Sequence, residues 1–360
     1  MGAIPMSFLH LVAAHTAPDE WAVIVAIVLA RLLVPLLIPR VPLLIIVALM
    51  LDAVDGSLLD VLTNVDVGPH GPYQSFDKAL DIYYLSIAYL TMLRNWTSVP
   101  AFRIGQFLFY YRLVGVLAFE LTGARAMLLV FPNTFEFYFI VYEAIRLRWD
   151  PARRSAQFWL LTAAGLWIFV KLPQEYWIHV AQLDFTDAVS EHPWFGVICA
   201  LFGLALLAVL WFVVRPRAPV PDWTWRPAAD PLPTASPERH GVRWSELAEK
   251  AALLALISVI FAEILPTVTL SALEVAVGVA AIVGVNAALT GCIPAFAVRL
   301  VANLGLVYLA SRLLSDADDF PLGTGLFFAF LITLLISLYD LYKPVYESRT
   351  AAYGGDRDRT

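Results

Sequence analysis

Positions 194–214 form an unbroken apolar run, WFGVICALFGLALLAVLWFVV, that contains no charged side chain. A helix needs roughly 17 to 25 predominantly apolar residues to cross the hydrocarbon core of a bilayer. This run therefore predicts a membrane span. Comparable segments recur along the chain, and 60% of its 360 residues are hydrophobic while only 15% are charged, which excludes an ordinary soluble domain.

The same length criterion predicts about eleven membrane helices, within a range of about 10 to 12. We therefore expect an all-α fold, a polytopic transmembrane helix bundle. The predicted spans are 21–38, 42–62, 77–93, 102–121, 126–147, 156–173, 194–214, 247–266, 268–289, 294–314 and 321–342.

A proline-rich stretch without apolar periodicity, RPRAPVPDWTWRPAADPLPTASPERHGVRW, separates the seventh predicted span from the eighth. Such a composition is typical of a semi-rigid, irregular linker. The chain is accordingly predicted to have a seven-span membrane part at 1–214, a linker at 215–245 and a four-span membrane part at 246–342. We expect 343–360 to form a flexible carboxyl-terminal tail.

Lysine and arginine are unevenly distributed between the two predicted membrane faces. Alternating spans place Arg40, Arg94, Arg103, Arg146, Arg148, Arg153, Arg154, Lys250 and the linker and tail cations on one face, and Lys78, Arg125, Lys171 and Arg312 on the other. Cytoplasmic loops carry the excess of positive charge. We therefore expect an integral protein of the cell membrane, surrounded by lipids, with its amino terminus outside and its linker and carboxyl terminus in the cytoplasm.

Four aspartates lie in or beside the second and third predicted spans: Asp52, Asp55, Asp77 and Asp81. A carboxylate at the centre of a membrane helix costs about 2.5 to 3.5 kcal/mol. The first pair is three residues apart and the second pair four, so each pair shares one face of a helix. Two helices joined by a loop could bring all four carboxylates together.

Hard oxygen ligands of this kind suit a divalent cation such as Mg²⁺ or Mn²⁺, whose charge would offset the cost of burial. We therefore predict Asp52, Asp55, Asp77 and Asp81 as metal ligands. The same pattern is compatible with purely structural roles for these acids. Asp52 or Asp55 could be protonated or paired with Lys78 or Arg31, and Asp77 could cap the start of a helix.

Three short motifs, RLLVP at 31–35, LDAVDG at 51–56 and DKALD at 77–81, resemble the CDP-alcohol phosphatidyltransferases. The signature of that family is D-x2-D-G-x2-A-R-x8-G-x3-D-x3-D. The resemblance implies that Asp52, Asp55 and Asp77 hold a divalent metal and the CDP diphosphate. It implies that Asp81 is a metal ligand or the base that activates the acceptor hydroxyl. The chain departs from the signature at Leu59, Asp60 and Tyr73 and in the longer gap between the two aspartate pairs.

A second group of polar residues lies in the fourth and fifth predicted spans. Arg112 is placed within an apolar span, and Asn133 and Glu136 lie on one stripe of the next. An arginine inside a span usually pairs with an acid on a neighbouring helix, which predicts a pair between Arg112 and Glu136 or Glu120. This group could fix helix register, or it could line a polar cavity that binds an anionic head group or relays protons.

Two classes of function follow from these patterns. The first is a metal-dependent, lipid-processing transferase that acts on a phospholipid or lipid-linked substrate, with Asp81 as the catalytic base. The second is a transporter or a non-enzymatic membrane-complex subunit that uses the same acids for cation or proton passage or for structural pairing. A homo-oligomer or a larger membrane complex is compatible with the composition, and no pattern indicates nucleic-acid binding.

Overall fold

The computed structural model describes residues 18–63, 72–124, 126–177, 181, 188–189, 191–232, 243–265, 268, 270–288, 296–314 and 322–357. Within these ranges the protein is helical and contains no strand, which confirms the predicted all-α class. The helices are α1 Pro18–Leu33, α2 Ile45–Leu62, α3 Pro72–Asn95, α4 Val99–Thr122, α5 Ala126–Val130, α6 Thr134–Arg146, α7 Ala156–Glu175, α8 Pro193–Arg217, α9 Trp244–Ile264, α10 Ala272–Ala288, α11 Phe296–Leu314 and α12 Leu322–Arg357.

Every predicted span coincides with one or two of these helices. In the described part of the chain, eight helical segments are long and apolar enough to cross a membrane. The helix α10 is apolar but shorter, and α3 and α9 are not among the eight. The apolar helices indicate integration into a membrane, and the exact number of eleven spans stays a prediction.

The helix α3 lies at the centre of the bundle, although it is not one of the eight segments that are long and apolar enough to cross a membrane. It packs against α1, α2, α4, α9 and α12, and nearly every side chain from Ala79 to Leu93 is buried. A helix enclosed by protein does not need a lipid-compatible surface, so it tolerates the polar residues that lower its hydropathy. In contrast, none of the described residues in the most apolar window of α8 is buried inside the protein, and we expect lipid to cover that helix.

The turn between α1 and α2 is short because prolines end one helix and begin the next. Val34–Leu37 and Pro42–Leu44 are 3-10 helices that begin with or contain proline, and proline cannot donate the backbone hydrogen bond that would continue an α-helix. The two helices pack against each other. This arrangement brings Arg31 of α1 near the aspartates of α2.

The described part of the predicted linker docks on one end of the bundle. The Arg94 side chain, at the end of α3, donates to the Asp230 carbonyl at 2.9 Å and to the Pro39 carbonyl at 2.8 Å. The Ala229 backbone N–H donates to the Arg40 carbonyl at 2.8 Å, and Arg146 donates to the Ala228 carbonyl at 3.2 Å. The irregular backbone of this segment therefore closes the arginine-rich end of the bundle.

The last helix extends well beyond the last predicted span. The helix α12 continues to Arg357 through the segment that we expected to be a flexible tail at 343–360. Arg349 in this extension donates to the Arg94 carbonyl and lies 3.6 Å from the Asp230 carboxylate. The helix is therefore held in place beyond the predicted span by the same arginine-rich end that binds the linker.

Candidate functional site

Arg31 is a buried cation within the apolar helix α1. It lies within Glu20–Leu37, a segment long and apolar enough to cross a membrane. A charge in such a segment is unfavourable unless it has partners. Its partners are the four aspartates that the sequence singles out.

The Arg31 guanidinium joins α1 to α2 and α3 through paired contacts. Its Nη1 donates to Asp55 of α2 and to Asp77 of α3. Its Nη2 donates to Asp52 of α2 and, at 3.1 Å, to Asp81 of α3. Each nitrogen thus binds one acid from α2 and one from α3. Both acids of each helix can reach the guanidinium because residues three or four apart share one face of a helix. We refer to Arg31, Asp52, Asp55, Asp77 and Asp81 as the acidic centre.

The four carboxylates of the acidic centre differ in their exposure. The Asp55 side chain is only 3% exposed, whereas those of Asp81, Asp52 and Asp77 are 21%, 23% and 34% exposed. Asp55 also accepts a hydrogen bond of 2.7 Å from the Gly56 backbone N–H. These contacts indicate that Asp55 holds the guanidinium in position, while the other three carboxylates are open enough to bind a ligand.

The geometry of the three more exposed aspartates fits one metal ion. One carboxylate oxygen from each of Asp52, Asp77 and Asp81 lies within 4.8 Å of the other two. Opposite ligand oxygens around a single ion are about 4.2 Å apart for Mg²⁺ and about 5 Å apart for Ca²⁺. The three aspartates therefore could hold a divalent cation, with water or a substrate phosphate completing its coordination.

The charge of the acidic centre also favours a cation. Four carboxylates face a single guanidinium, so negative charge remains in excess when all are ionised. The alternative that Arg31 pairs with Asp52 and Asp55 is confirmed, and Arg31 pairs with Asp77 and Asp81 as well. Lys78 has a different acidic partner, Glu120, at 3.7 Å. A bound divalent ion would offset the charge that Arg31 leaves unbalanced.

The predicted pair of Arg112 with Glu136 or Glu120 does not form a direct salt bridge, although Arg112 acts electrostatically on Glu136. The Arg112 Nη1 donates instead to the Phe131 backbone carbonyl at 3.2 Å. This carbonyl lies in the break between α5 and α6, where Pro132 interrupts the helix, so its oxygen lacks a helical N–H donor. Pro132 indicates that a backbone carbonyl is free in this helix, but the sequence does not show which cation reaches it.

Asn133 and Glu136 do lie together, as their position on one stripe predicts. The Asn133 side-chain amide donates to Glu136 Oε2 at 2.7 Å, and the Asn133 backbone N–H donates to Glu175 of α7 at 3.1 Å. The Tyr84 hydroxyl of α3 also donates to Glu136 Oε2, at 2.7 Å. These bonds connect the start of α6 to the central helix and to α7.

Sequence reasoning missed Tyr84 and Glu175 as members of this network. Tyr84 follows Asp81 by three residues, so the two lie on the same face of α3. That spacing could have predicted that Tyr84 belongs to the network, because it places the tyrosine on the helix face that carries Asp77 and Asp81. Glu175 offered no such signal, since the approach of α7 to the α5–α6 break follows from tertiary packing.

The carboxyl-terminal helices contain separate polar contacts inside the bundle. Asp340 of α12 accepts from Lys250 of α9 at 2.6 Å and from Arg299 of α11 at 3.3 Å. The Asn286 amide of α10 donates to Asn303 of α11 at 2.6 Å, and Asn303 donates to Thr333 of α12 at 2.9 Å. Because each of these contacts joins different helices, they fix the packing of α9 to α12.

The fold and the acidic centre define a class of protein: an all-helical membrane protein with an intramembrane aspartate triad that could bind a metal ion. Comparisons with family models, with curated proteins and with solved structures each give no match to this chain. The function is therefore argued from the acidic centre itself.

Proposed function

We propose that this protein is a divalent-metal-dependent membrane transferase that acts on a phospholipid or a lipid-linked phosphate. The observation that carries the proposal is the convergence of Asp52, Asp77 and Asp81 from two helices within 4.8 Å of one another. The resemblance of 31–81 to the CDP-alcohol phosphatidyltransferases implies functional roles for all four aspartates, with Asp52, Asp55 and Asp77 holding the metal and the diphosphate and Asp81 as metal ligand or base. Mg²⁺ and Mn²⁺ are the ions that such a set of oxygen ligands favours.

The residues of the acidic centre divide between binding and proton transfer. Asp52 and Asp77 would hold the metal ion, which when bound neutralises charge on a phosphate group. Arg31 presents a planar guanidinium whose geometry also suits phosphate oxygens. Asp55, the most buried acid, would keep that guanidinium oriented when a substrate replaces the other carboxylates as its partner.

Asp81 is the best candidate for the catalytic base. Its contact with Arg31, at 3.1 Å, is the longest of the four, so its carboxylate is the least constrained by the guanidinium. In the transfer step, the acceptor hydroxyl oxygen would form a bond to phosphorus while the bond from phosphorus to the leaving oxygen breaks. The leaving group keeps that electron pair, and the hydroxyl proton passes to Asp81.

Metal binding is the first test of this proposal. Purified protein in lipid nanodiscs is titrated with Mn²⁺, and free Mn²⁺ is measured by electron paramagnetic resonance. We expect one bound ion in wild type and loss of that ion in Asp52→Asn and Asp77→Asn. Glu120→Gln is the matched control, because this acid pairs with Lys78 next to the acidic centre but is not part of it. Equal binding by all four proteins would refute the metal site.

Activity is the second test. Nanodiscs that contain CDP-diacylglycerol are incubated with Mn²⁺ and a set of alcohols, and release of the nucleotide monophosphate is measured. We expect release in wild type and its loss in Asp81→Asn at Mn²⁺ concentrations that saturate the metal site, because Asp52 and Asp77 remain as ligands. Mn²⁺ binding without transfer from this donor would restrict the proposal to other lipid-linked phosphates, which are then tested in the same format.

Cation transport is the second candidate function, and the position of Arg31 favours it. A guanidinium that pairs with all four acids inside the membrane resembles an internal counter-ion that an incoming cation or proton must displace. This function predicts uptake of Mn²⁺ or protons by proteoliposomes that contain wild type, and loss of uptake in Asp55→Asn. Bound metal with neither transfer nor uptake would indicate a structural role in a membrane complex.

A further inference from the structure

Four exposed arginines lie where the linker meets the end of α6. They are Arg148, just after α6, Arg215 and Arg217 at the end of α8, and Arg226 in the linker. Within the described ranges, none of these four guanidinium groups forms a salt bridge with a carboxylate. We call these four residues the basic surface.

Hydrogen bonds between the linker and the end of α6 hold the basic surface together. The Trp149 indole N–H donates to the Pro219 carbonyl at 2.9 Å, and the Arg226 backbone N–H donates to the Leu147 carbonyl at 3.1 Å. The last carbonyls of a helix have no donor within the helix, so the linker supplies donors from its own backbone. Arg217 lies two residues before Pro219, and the end of α8 is therefore held at the same place.

The side chains of the basic surface are not used in these bonds. The Asp222 backbone N–H donates to the Arg148 carbonyl at 3.0 Å, and Arg226 likewise contributes its main chain. The guanidinium groups of Arg148 and Arg226 therefore remain available for a partner, and their substitution leaves the attachment of the linker in place.

The two acids at this junction already have other partners. Asp222 accepts from Arg153 with one carboxylate oxygen and from the Asp150 backbone N–H, at 2.8 Å, with the other. Asp150 accepts from the Ala152 backbone N–H at 3.0 Å. The protein therefore leaves the positive charge of the basic surface unbalanced, although the chain as a whole has a net charge of −6.

Aromatic side chains place the basic surface at the boundary of the membrane. Arg215 stacks on Trp211 at 4.0 Å and Arg226 on Trp223 at 4.5 Å, and the Trp225 side chain next to Arg226 is exposed. Tryptophan is enriched where a bilayer meets water. The apolar run of α8 also ends directly before Arg215, so these arginines lie where the lipid head groups begin.

We propose that the basic surface binds the phosphate groups of anionic phospholipids in the leaflet at this end of the bundle. Charge complementarity and position select this partner. A guanidinium binds phosphate oxygens with two parallel hydrogen bonds, and clustered cations beside a membrane span attract anionic lipids. An acidic protein segment would match the charge of the surface but not the tryptophans at the lipid boundary. The proposal does not depend on the transferase function.

The test measures the affinity of the full-length protein for individual lipids. Native mass spectrometry of the protein in a neutral detergent counts bound phosphatidylglycerol, which is anionic, and bound phosphatidylcholine, which is not. We expect wild type to bind phosphatidylglycerol at least about tenfold more tightly, because each arginine near anionic lipid contributes a factor of about five. The double variant Arg148→Gln with Arg226→Gln should lower the affinity for phosphatidylglycerol at least about fivefold and leave that for phosphatidylcholine unchanged.

An arginine at the other end of the bundle provides the matched control. Arg312 is exposed and stacks on Tyr308 at 5.5 Å, so Arg312→Gln removes the same charge and the same kind of aromatic contact as Arg226→Gln. It lies away from the arginine-rich end, because Arg299 at the start of α11 contacts Asp340 near the membrane exit of α12. We expect Arg312→Gln to bind phosphatidylglycerol as wild type does.

Three results would overturn the inference. The first is equal affinity of wild type for the two lipids, and the second is an equal loss of phosphatidylglycerol affinity in Arg312→Gln and Arg226→Gln, which would reflect net charge alone. The third is unchanged lipid affinity in the double variant. If that variant also lost binding of a fluorescent polyglutamate peptide, the surface would be assigned to an acidic protein segment instead.

Discussion

Replacement of Arg31 by methionine should destabilise the protein more than any other single change in the acidic centre. Methionine has a similar length but no charge, so Arg31→Met leaves four carboxylates without their shared cation. Removal of one partner from a buried ion pair typically costs about 3 to 5 kcal/mol. We expect a loss of that size in the free energy of unfolding.

The structure also predicts which second substitution restores stability. Asp55 is almost completely buried, whereas Asp77 is about one third exposed and can be hydrated. Most of the cost of Arg31→Met should therefore arise at Asp55. We expect Asp55→Asn to recover at least about 2 kcal/mol in the Arg31→Met background and Asp77→Asn to recover less than about 1 kcal/mol.

The assay is equilibrium unfolding of the purified protein by sodium dodecyl sulfate in mixed micelles, followed by tryptophan fluorescence. A chelator is present throughout, because a bound divalent cation would stabilise the folded state and mask the lost charge. A loss below about 1 kcal/mol in Arg31→Met would refute the reasoning that the guanidinium is an essential buried partner. Equal recovery by Asp55→Asn and Asp77→Asn would refute the assignment of the cost to Asp55.

Three other predictions concern the rest of the bundle. Asn303→Leu should lower the free energy of unfolding by roughly 1 kcal/mol, because interhelical hydrogen bonds in membranes have modest energies; a loss above about 3 kcal/mol in the same assay would contradict this. Arg94→Ala removes the bonds to Pro39 and Asp230, and limited proteolysis should then cleave the linker faster than in wild type, with Arg103→Ala, an exposed arginine of α4, as the control. With the native cysteines replaced by alanine, an impermeant thiol reagent should label Thr122→Cys in intact cells but Val220→Cys only after lysis; the opposite pattern would reverse the predicted orientation.

Much of the fold could be predicted from apolar segments alone. Each predicted span coincides with a helix because a long apolar segment inside a membrane has no water to bond its backbone groups. An α-helix satisfies these groups within the segment itself. The central position of α3 could not be predicted. Its tyrosines and aspartates make it one of the less apolar helices, and only the packing shows that protein encloses it on all sides.

The acidic centre was partly predictable. The spacing of the aspartates indicated the face that each pair shares, and Arg31 was one of their expected partners. That one guanidinium binds all four acids depends on the α1–α2 turn and on the position of α3, which are tertiary features. The pairing of Arg112 was mispredicted because the rule that cations in spans pair with acids ignores carbonyls that a proline sets free.

The energetics of the acidic centre constrain how α1, α2 and α3 enter the membrane. The segment 42–62 contains twelve Leu, Ile and Val residues, which together favour insertion by about 4 to 7 kcal/mol. Asp52 and Asp55 oppose it by about 5 to 7 kcal/mol, so α2 alone is close to neutral. The α3 helix carries two more aspartates and is not among the apolar spans. Since Arg31 contacts all four acids, α2 and α3 become favourable only when α1 is beside them. We therefore expect the three helices to insert as one unit, in which the charge that joins them is the charge that could bind a metal ion.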